Sequence, residues 1–303
     1  MKITIIGEIF YDVIYPYHGK KITSFGGTLY NLITLANFVD FSGVLYPISF
    51  LWKKHFPKVT KLCKPYPQID FSGIIPSDKG TETARLTYIS WGKREEKIIL
   101  YHPPIPFHHI KKFLNVDAVL INFTARRDVS LSTLKKIRQS SKTLVMVDLH
   151  CLQSKINSKG IRYICPIPNW REWISCTDIV QGNQSETETL IGFGLKNDTD
   201  FKKAHREILK TGVKVAITTR GDRGVIVSWK KGGKIIFIRI PAIPIAKIVD
   251  TTGSGDVFTS VFLWKYLITN NLIDSVNYAN KGAGMNCQLR GLEELGKLRK
   301  LSG

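Results

Sequence analysis

The chain has 303 residues, 43% of them hydrophobic, with 44 basic against 24 acidic side chains and a net charge of +20. That length holds one large domain or two medium ones, and that apolar content builds a sizeable core and excludes a disordered chain. No apolar run reaches the roughly 18 residues that span a bilayer, because Lys265 interrupts the longest. Five scattered cysteines (Cys63, Cys151, Cys165, Cys176 and Cys287) form no C-x-x-C pair, which speaks for a reducing cytoplasm and against a disulfide framework or zinc site. The adjacent His108 and His109 cannot share a face as metal ligands spaced i, i+4 would. The basic residues come in twos and threes, with no arginine-rich arm or aromatic RNA-binding signature. Solubility and steering of anionic substrates are the uses that pattern supports, and nucleic acid is not an expected partner.

Met1 to Ile6 reads as a first strand, since no small-residue cleavage site follows it. Gly7 and Glu8 turn the chain towards Asp12, and Gly26-Gly27-Thr28-Leu29-Tyr30-Asn31 opens a stretch with Leu32, Leu35, Ala36 and Val39 at helical spacing. Asp12 and Asn31 are of the type that caps turns or binds hydroxyl groups. Residues 84–91 and 97–101 flank the polar turn Gly92 to Glu96 and read as a hairpin, which Pro103, Pro104 and Pro106 stop. Two strands without an intervening helix point to a small antiparallel sheet beside the main domain, within roughly residues 71–107. From Asp117 the rhythm is strand, helix, strand: Ala118–Ile121, then about 130–140, then Thr143–Val147. That alternation predicts a parallel sheet covered by helices, with Asn122 and Asp148 at strand ends where ligands bind. Residues 151–175 read as an irregular connection. Asn183 and Glu186 have the spacing of a capping box. Val213–Ile217 and a hairpin, 225–229 and 234–238, follow around Thr219-Arg220-Gly221-Asp222-Arg223-Gly224.

Asp250-Thr251-Thr252-Gly253-Ser254-Gly255-Asp256, followed by a largely apolar run from Val257 to Ile268, reads as a loop entering a helix. Three small residues let the backbone approach a ligand, and the unpaired N–H groups of a helix start attract anions. Asp256 is either a first-turn acid or, beside such an anion site, a base that takes a proton. No Walker A spacing and no G-x-G-x-x-G after the first strand is present.

The Asp250 to Asp256 stretch resembles the signature of ribokinase-like (PfkB-type) carbohydrate kinases. Gly7 with Asp12, Gly26-Gly27 with Asn31, the hairpin, Asn183 with Glu186, and Thr219 with Gly221 match other family elements in the same order. Val261 departs from the family's usual small residue, and Gln184 from a common acid. The resemblance implies a three-layer α/β/α sandwich with a mainly parallel central sheet and a small antiparallel β lid, in one domain spanning 1–303 with lid strands from roughly residues 10–24 and 71–107. It implies a cytoplasmic kinase that transfers a phosphoryl group from ATP to a hydroxyl of a sugar, sugar derivative or nucleoside. Asp256 is then the catalytic base, and Gly253, Ser254 and Gly255 supply the backbone anion hole. Asp12, Gly26, Gly27 and Asn31 grip the acceptor, while Asn183, Thr219, Gly221, Gly224 and Asn280 serve the nucleotide. Glu186 orders Mg²⁺ through water, and a K⁺ site is implied near Asp250 and Thr252. The lid also implies a homodimer. Tyr30, Phe10 and Tyr11 are available to stack on a base, and Lys79, Arg94, Arg126 and Arg127 to meet a phosphorylated sugar. The alternative from another class, a non-catalytic polyanion binder, rests on the basic charge alone.

Overall fold

The structure is a computed structural model, and it describes residues 1–90, 93–125 and 128–301. Trp91, Gly92, Arg126 and Arg127, which the sequence assigns to the hairpin turn and to phosphate neutralisation, lie outside the described residues. Nine strands form the main sheet, in the spatial order Lys234–Ile240, Val225–Lys231, Val215–Thr219, Ile179–Asn183, Leu144–Asp148, Ala118–Asn122, Lys2–Ile6, Val44–Trp52 and Ile74–Ser77. All neighbouring pairs from Val215–Thr219 to Ile74–Ser77 are parallel, and the two pairs of the 225–240 hairpin are antiparallel.

Parallel strands buried on both faces need apolar residues at every position, and these strands have them. Ile3, Ile5, Leu120, Met146 and Ile217 point into one core, with the helices Leu29–Phe38, Ser254–Thr269 and Leu272–Asn286. Ile6, Val119, Ile121, Val145, Val147 and Ala216 point into the other, against Leu131–Ser140, Trp170–Ile174 and Asp198–Lys210. The fold is therefore a three-layer α/β/α sandwich.

A second sheet of four strands runs in the order Ile22–Gly27, Ile9–Tyr15, Glu82–Ser90, Lys93–Leu100. Its outer pairs are antiparallel and its central pair, Ile9–Tyr15 with Glu82–Ser90, is parallel. The range expected for this sheet began too early. Ile74–Ser77 pairs in parallel with Val44–Trp52 and belongs to the main sheet, because its buried Ile74 completes the core at that edge. Residues 151–175 contain a two-stranded ribbon, Ser154–Ile156 with Arg162–Ile164, as well as the Trp170–Ile174 helix. The ribbon fastens the second sheet: the Ile98 N–H donates to the Gly160 carbonyl at 2.8 Å, and Arg162 pairs with Glu96 at 2.9 Å. The basic end of the chain, Leu292–Leu301, coils as a 3₁₀ helix and buries Leu292, Leu295 and Leu298. No helix among the described residues is long and apolar enough to cross a membrane.

Asp178, 2% exposed, staples the sheet to its helical cover. Its carboxylate accepts from the Val145 N–H at 2.9 Å and from Arg138 at 2.9 Å, and Lys214 lies 2.9 Å away. Burial alone would raise its pKa, but these donors outweigh burial and hold it below the ordinary carboxylate value. Asp178→Asn should lower the unfolding free energy by about 1–3 kcal/mol in urea titrations at neutral pH. The folded carboxyl titrates below the unfolded one, so the difference from wild type is full above the ordinary carboxylate pKa. It should fade as pH falls through the lowered value.

Candidate active site

The parallel strands deliver their carboxyl ends to one edge of the main sheet, facing the four-stranded sheet. There a cavity of about 480 Å³ is lined by Asp12, Gly26, Gly27, Tyr30, Asp148, His150, Glu186 and the 251–256 segment. At its floor the Ser254–Thr269 helix begins. Gly253 has φ +76°, and a Cβ there would fall inside the Tyr30 ring, so only glycine allows the ring to pack on this turn. The N–H groups of Gly253 and Gly255 have no protein partner among the described residues. A Cβ on Gly255 would meet open space. The helix start is thus presented to the cavity as an anion site.

Ser254 differs from that expectation. Its N–H donates to the Thr251 carbonyl at 3.2 Å, and its hydroxyl donates to the same oxygen at 2.7 Å while accepting from Asn286 at 3.2 Å. Ser254 shapes the turn, and two of the three expected N–H groups remain for an anion.

Asp256 is 7% exposed, and its Oδ1 accepts from Asn122 Nδ2 at 2.5 Å. Burial raises its pKa, while His150 and the Asn122 donor oppose the rise. Asn122 also donates to Asn31 Oδ1 at 2.6 Å, and Asn31 Nδ2 donates to the Asp256 carbonyl and to Ser260 Oγ, both at 3.1 Å. Asn31 is fully buried and does not line the cavity. Asn31, expected to grip the acceptor, is here turned to protein partners: its Oδ1 accepts from Asn122 and its Nδ2 holds the Asp256 turn and Ser260.

Asp12 does face the cavity, and the absence of a side chain at Gly26 makes room for it, since a Cβ there would lie 2.7 Å from Asp12 Oδ2. Burial, then Glu96, pushes its pKa up to about 7, against the pull of Arg94 and Arg162. Of the three aromatics expected to be available for stacking, Phe10 and Tyr30 line the cavity and each already has a packing partner, whereas Tyr11 does not line it. Tyr30 covers Gly253, Phe10 lies under the Arg162 guanidinium, and Tyr11 packs on Phe25 and His55. Lys79 is exposed and outside the cavity, whereas Arg94 lines it.

Asn183 and Glu186 form the expected capping box, with the Asn183 N–H donating to Glu186 Oε2 at 2.8 Å and the Glu186 N–H to Asn183 Oδ1 at 2.9 Å. Burial and then Asp148 push Glu186 to about 7, and burial and Asp256 push Asp148 to about 6, with His150 opposing both. Asp148, Glu186 and Asp256 all line this cavity, and together they are a donor set that fits a hydrated Mg²⁺. Asp250 Oδ1 accepts the Thr252 N–H at 2.9 Å, and the Thr252 carbonyl accepts from Asn286 at 2.9 Å. These atoms are engaged in shaping the loop.

A second, apolar cavity of about 510 Å³ joins the first, sharing Thr219, Thr251, Ser254 and Gly255. Ile243, Pro244, Ile248 and Phe258 line it, together with Gly221, Gly224 and Asn280. Gly224, at φ +80°, packs so closely on Ile240 that any side chain would collide with its carbonyl. Asn280 Nδ2 donates to the Pro241 carbonyl at 2.7 Å and fixes the cavity wall.

Sequence reasoning missed His150, Cys151 and Arg162, which line the first cavity. His150 follows the strand end at Asp148 and has φ +30°, a backbone position rare outside glycine. Although the cleft mouth leaves it open to solvent, protein surrounds it. Burial disfavours its charged form, but Cys151, Asp256 and Asp148 outweigh that and hold its pKa well above the ordinary histidine value. The rule that strand ends carry ligands was the available signal.

Fold and site together define an α/β protein with an anion-binding helix start and a buried carboxylate at the edge of a parallel sheet. The family model described as pfkB family carbohydrate kinase matches residues 70–296, and the chain belongs to that family. Among similar proteins, the ribokinase of Staphylococcus aureus (strain COL) is 28% identical over 128 residues, covering 42% of this chain and 40% of the relative. A cytidine kinase of Thermococcus kodakarensis is 38% identical over 98 residues, 32% of each chain. The matches thus span two fifths or less of these curated relatives' length. A solved pyrophosphate-dependent kinase of the ribokinase family, complexed with a pyrophosphate analog and myo-inositol, superposes with a TM-score of 0.78 at 18% identity. It covers 98% of this chain and 99% of that one, and it shares the fold.

Asn122→Leu removes a donor to the Asp256 carboxylate and should raise its pKa further. The acidic limb of kcat/KM against pH should then move to higher pH. Asn31→Ala should lower kcat with little change in the acceptor KM, where a residue gripping the acceptor would raise KM.

Proposed function

We propose that this protein is a phosphotransferase that moves the γ-phosphoryl group of ATP to a hydroxyl of a sugar or sugar derivative. The observation that carries the reading is the meeting, in one cavity, of the Asp256 carboxylate with the open N–H groups of Gly253 and Gly255. Phosphoryl transfer asks a protein for positioning and for neutralisation of spreading charge more than for covalent chemistry. Asp256 accepts the proton of the acceptor hydroxyl as its oxygen attacks phosphorus. The N–H groups of Gly253 and Gly255 donate to the transferring phosphoryl oxygens as charge develops. Asn122 and His150 oppose the rise that burial gives the Asp256 pKa and so favour the ionised form that acts as base, and Asn31 holds its backbone. Asp12 binds acceptor hydroxyls across the cavity. Mg²⁺, when bound, neutralises donor phosphate charge, and Glu186 with Asp148 and Asn183 would hold it through its waters.

ATP is favoured as donor over a bare pyrophosphate by the apolar cavity behind the helix start, whose size and Ile243, Ile248 and Phe258 walls suit a purine. A sugar is favoured over a nucleoside as acceptor because Tyr30, Phe10 and Tyr11 are already packed or covered. The four-stranded sheet roofs the acceptor cavity through Asp12 and Arg94, and its closure would exclude water from the reacting phosphate.

A coupled assay of nucleotide release, run with ATP and Mg²⁺ against sugars, sugar acids, sugar phosphates and nucleosides, tests the reading. One sugar-class acceptor should raise the rate far above background, and pyrophosphate should not replace ATP. Turnover with pyrophosphate alone would overturn the donor assignment. Asp256→Asn should reduce turnover by at least about 100-fold while ATP affinity, measured by calorimetry, stays near wild type. Retained turnover would remove Asp256 as the base.

A further inference from the structure

Where the two sheets meet, a cluster of buried ionisable groups takes no part in the proposed reaction. Glu8 follows the first strand of the main sheet, Glu82 opens a strand of the second, and His102 follows the strand Lys93–Leu100. They are 3%, 1% and 5% exposed. Each offers one ligand atom, and these atoms lie within 4.8 Å of one another.

The remaining polar atoms of these side chains are held in the manner of a metal site, where outer partners orient each ligand. Glu8 Oε2 accepts from Ser49 Oγ at 3.0 Å and from the Phe50 N–H at 3.1 Å. His102 Nε2 lies 2.9 Å from Ser77 Oγ, and the ring stacks on Phe50 with centroids 4.7 Å apart. Glu82 Oε2 accepts the His102 N–H at 2.9 Å. Glu8 Oε1 and His102 Nδ1 are then left with no hydrogen-bond partner among the described residues. His102 Nδ1 faces Glu82 Oε2 at 3.6 Å, too far for a hydrogen bond and close to the separation of two ligands on one ion.

Charge adds to the case. Asp128, 1% exposed, stands beside these carboxylates and accepts the Glu8 N–H at 3.0 Å. Arg162 acts on Glu82 and Asp128 but is paired with Glu96. The cluster therefore carries more carboxylate than its neighbours answer. Glu82 and Arg162 also line a separate cavity of about 470 Å³ beside the ribbon.

We propose that Glu8, Glu82 and His102 bind a first-row divalent transition ion, with Zn²⁺ matching the two carboxylate oxygens and one imidazole nitrogen, and that this ion pins the four-stranded sheet to the main sheet. Hard oxygen donors alone would suit Mg²⁺ or Ca²⁺, and the imidazole shifts the preference to a transition ion. The site is separate from the phosphoryl-transfer cavity, and its test reads binding and melting rather than turnover.

The full chain, stripped with EDTA, would be titrated with Zn²⁺ by calorimetry and melted with and without the ion. About one Zn²⁺ per chain should bind saturably, and the bound form should melt higher. His102→Ala and Glu82→Gln should abolish both effects. Ser77→Ala keeps all three ligands and the fold, and should weaken Zn²⁺ binding about 10- to 100-fold. That variant decides the matter if the ligand variants do not fold. Absence of saturable Zn²⁺ uptake by the wild-type chain overturns the proposal. So does uptake that His102→Ala or Ser77→Ala leaves unchanged, which would assign the ion to histidines elsewhere.

Discussion

A carboxylate buried at the first turn of a helix is tolerable only if other interior groups answer its charge. For Asp256 the answer is the amide of Asn122, which reaches both Asp256 Oδ1 and Asn31 Oδ1 from the end of a parallel strand. Asn31 in turn holds the Asp256 carbonyl and Ser260, so one chain of hydrogen bonds joins a strand and two helices that are far apart in sequence. The arrangement works because all three elements end at the same edge of the sheet. A shift of any of them by one residue would leave a buried polar group unpaired, which is more costly than the bond itself. The helix start, its glycines and its carboxylate are held rigid by this network.

Around that fixed point the structure divides its polar work. One cavity collects the carboxylates Asp12, Asp148, Glu186 and Asp256 with the cations His150, Arg94 and Arg162, and the adjoining one is apolar. Such a division suits a donor with one charged end and one flat apolar end, meeting a hydroxylated acceptor at the charged end. The Ser154–Ile164 ribbon is what brings the basic members in, since it binds the second sheet through Gly160 and Arg162 and stands His150 and Cys151 at the cavity wall. The second sheet thus reaches the site through side chains at its inner face, and Glu8, Glu82 and His102 meet at its root.

The residues themselves carried the layer order, the parallel sheet and the helix start, because those follow from local facts. Runs such as Ala118-Val119-Leu120-Ile121 admit few structures other than a strand covered on both faces, and Gly253-Ser254-Gly255 before an apolar run marks a helix start. Asn183 with Glu186 likewise declared a capping box by spacing alone. What the sequence could not decide was which polar atoms stay free once the chain packs. Asn31 looked available for a ligand and is consumed by Asn122, Asp256 and Ser260, and the Ser254 N–H is consumed by Thr251. Ile74–Ser77 looked like part of the second sheet and pairs with the first. Cys151 and Arg162 gave no local signal, His150 only its place just after a strand end, and the meeting of Glu8, Glu82 and His102 gave none. Hydrogen-bond satisfaction and cavity walls are properties of neighbours in space, and tertiary packing alone sets those neighbours.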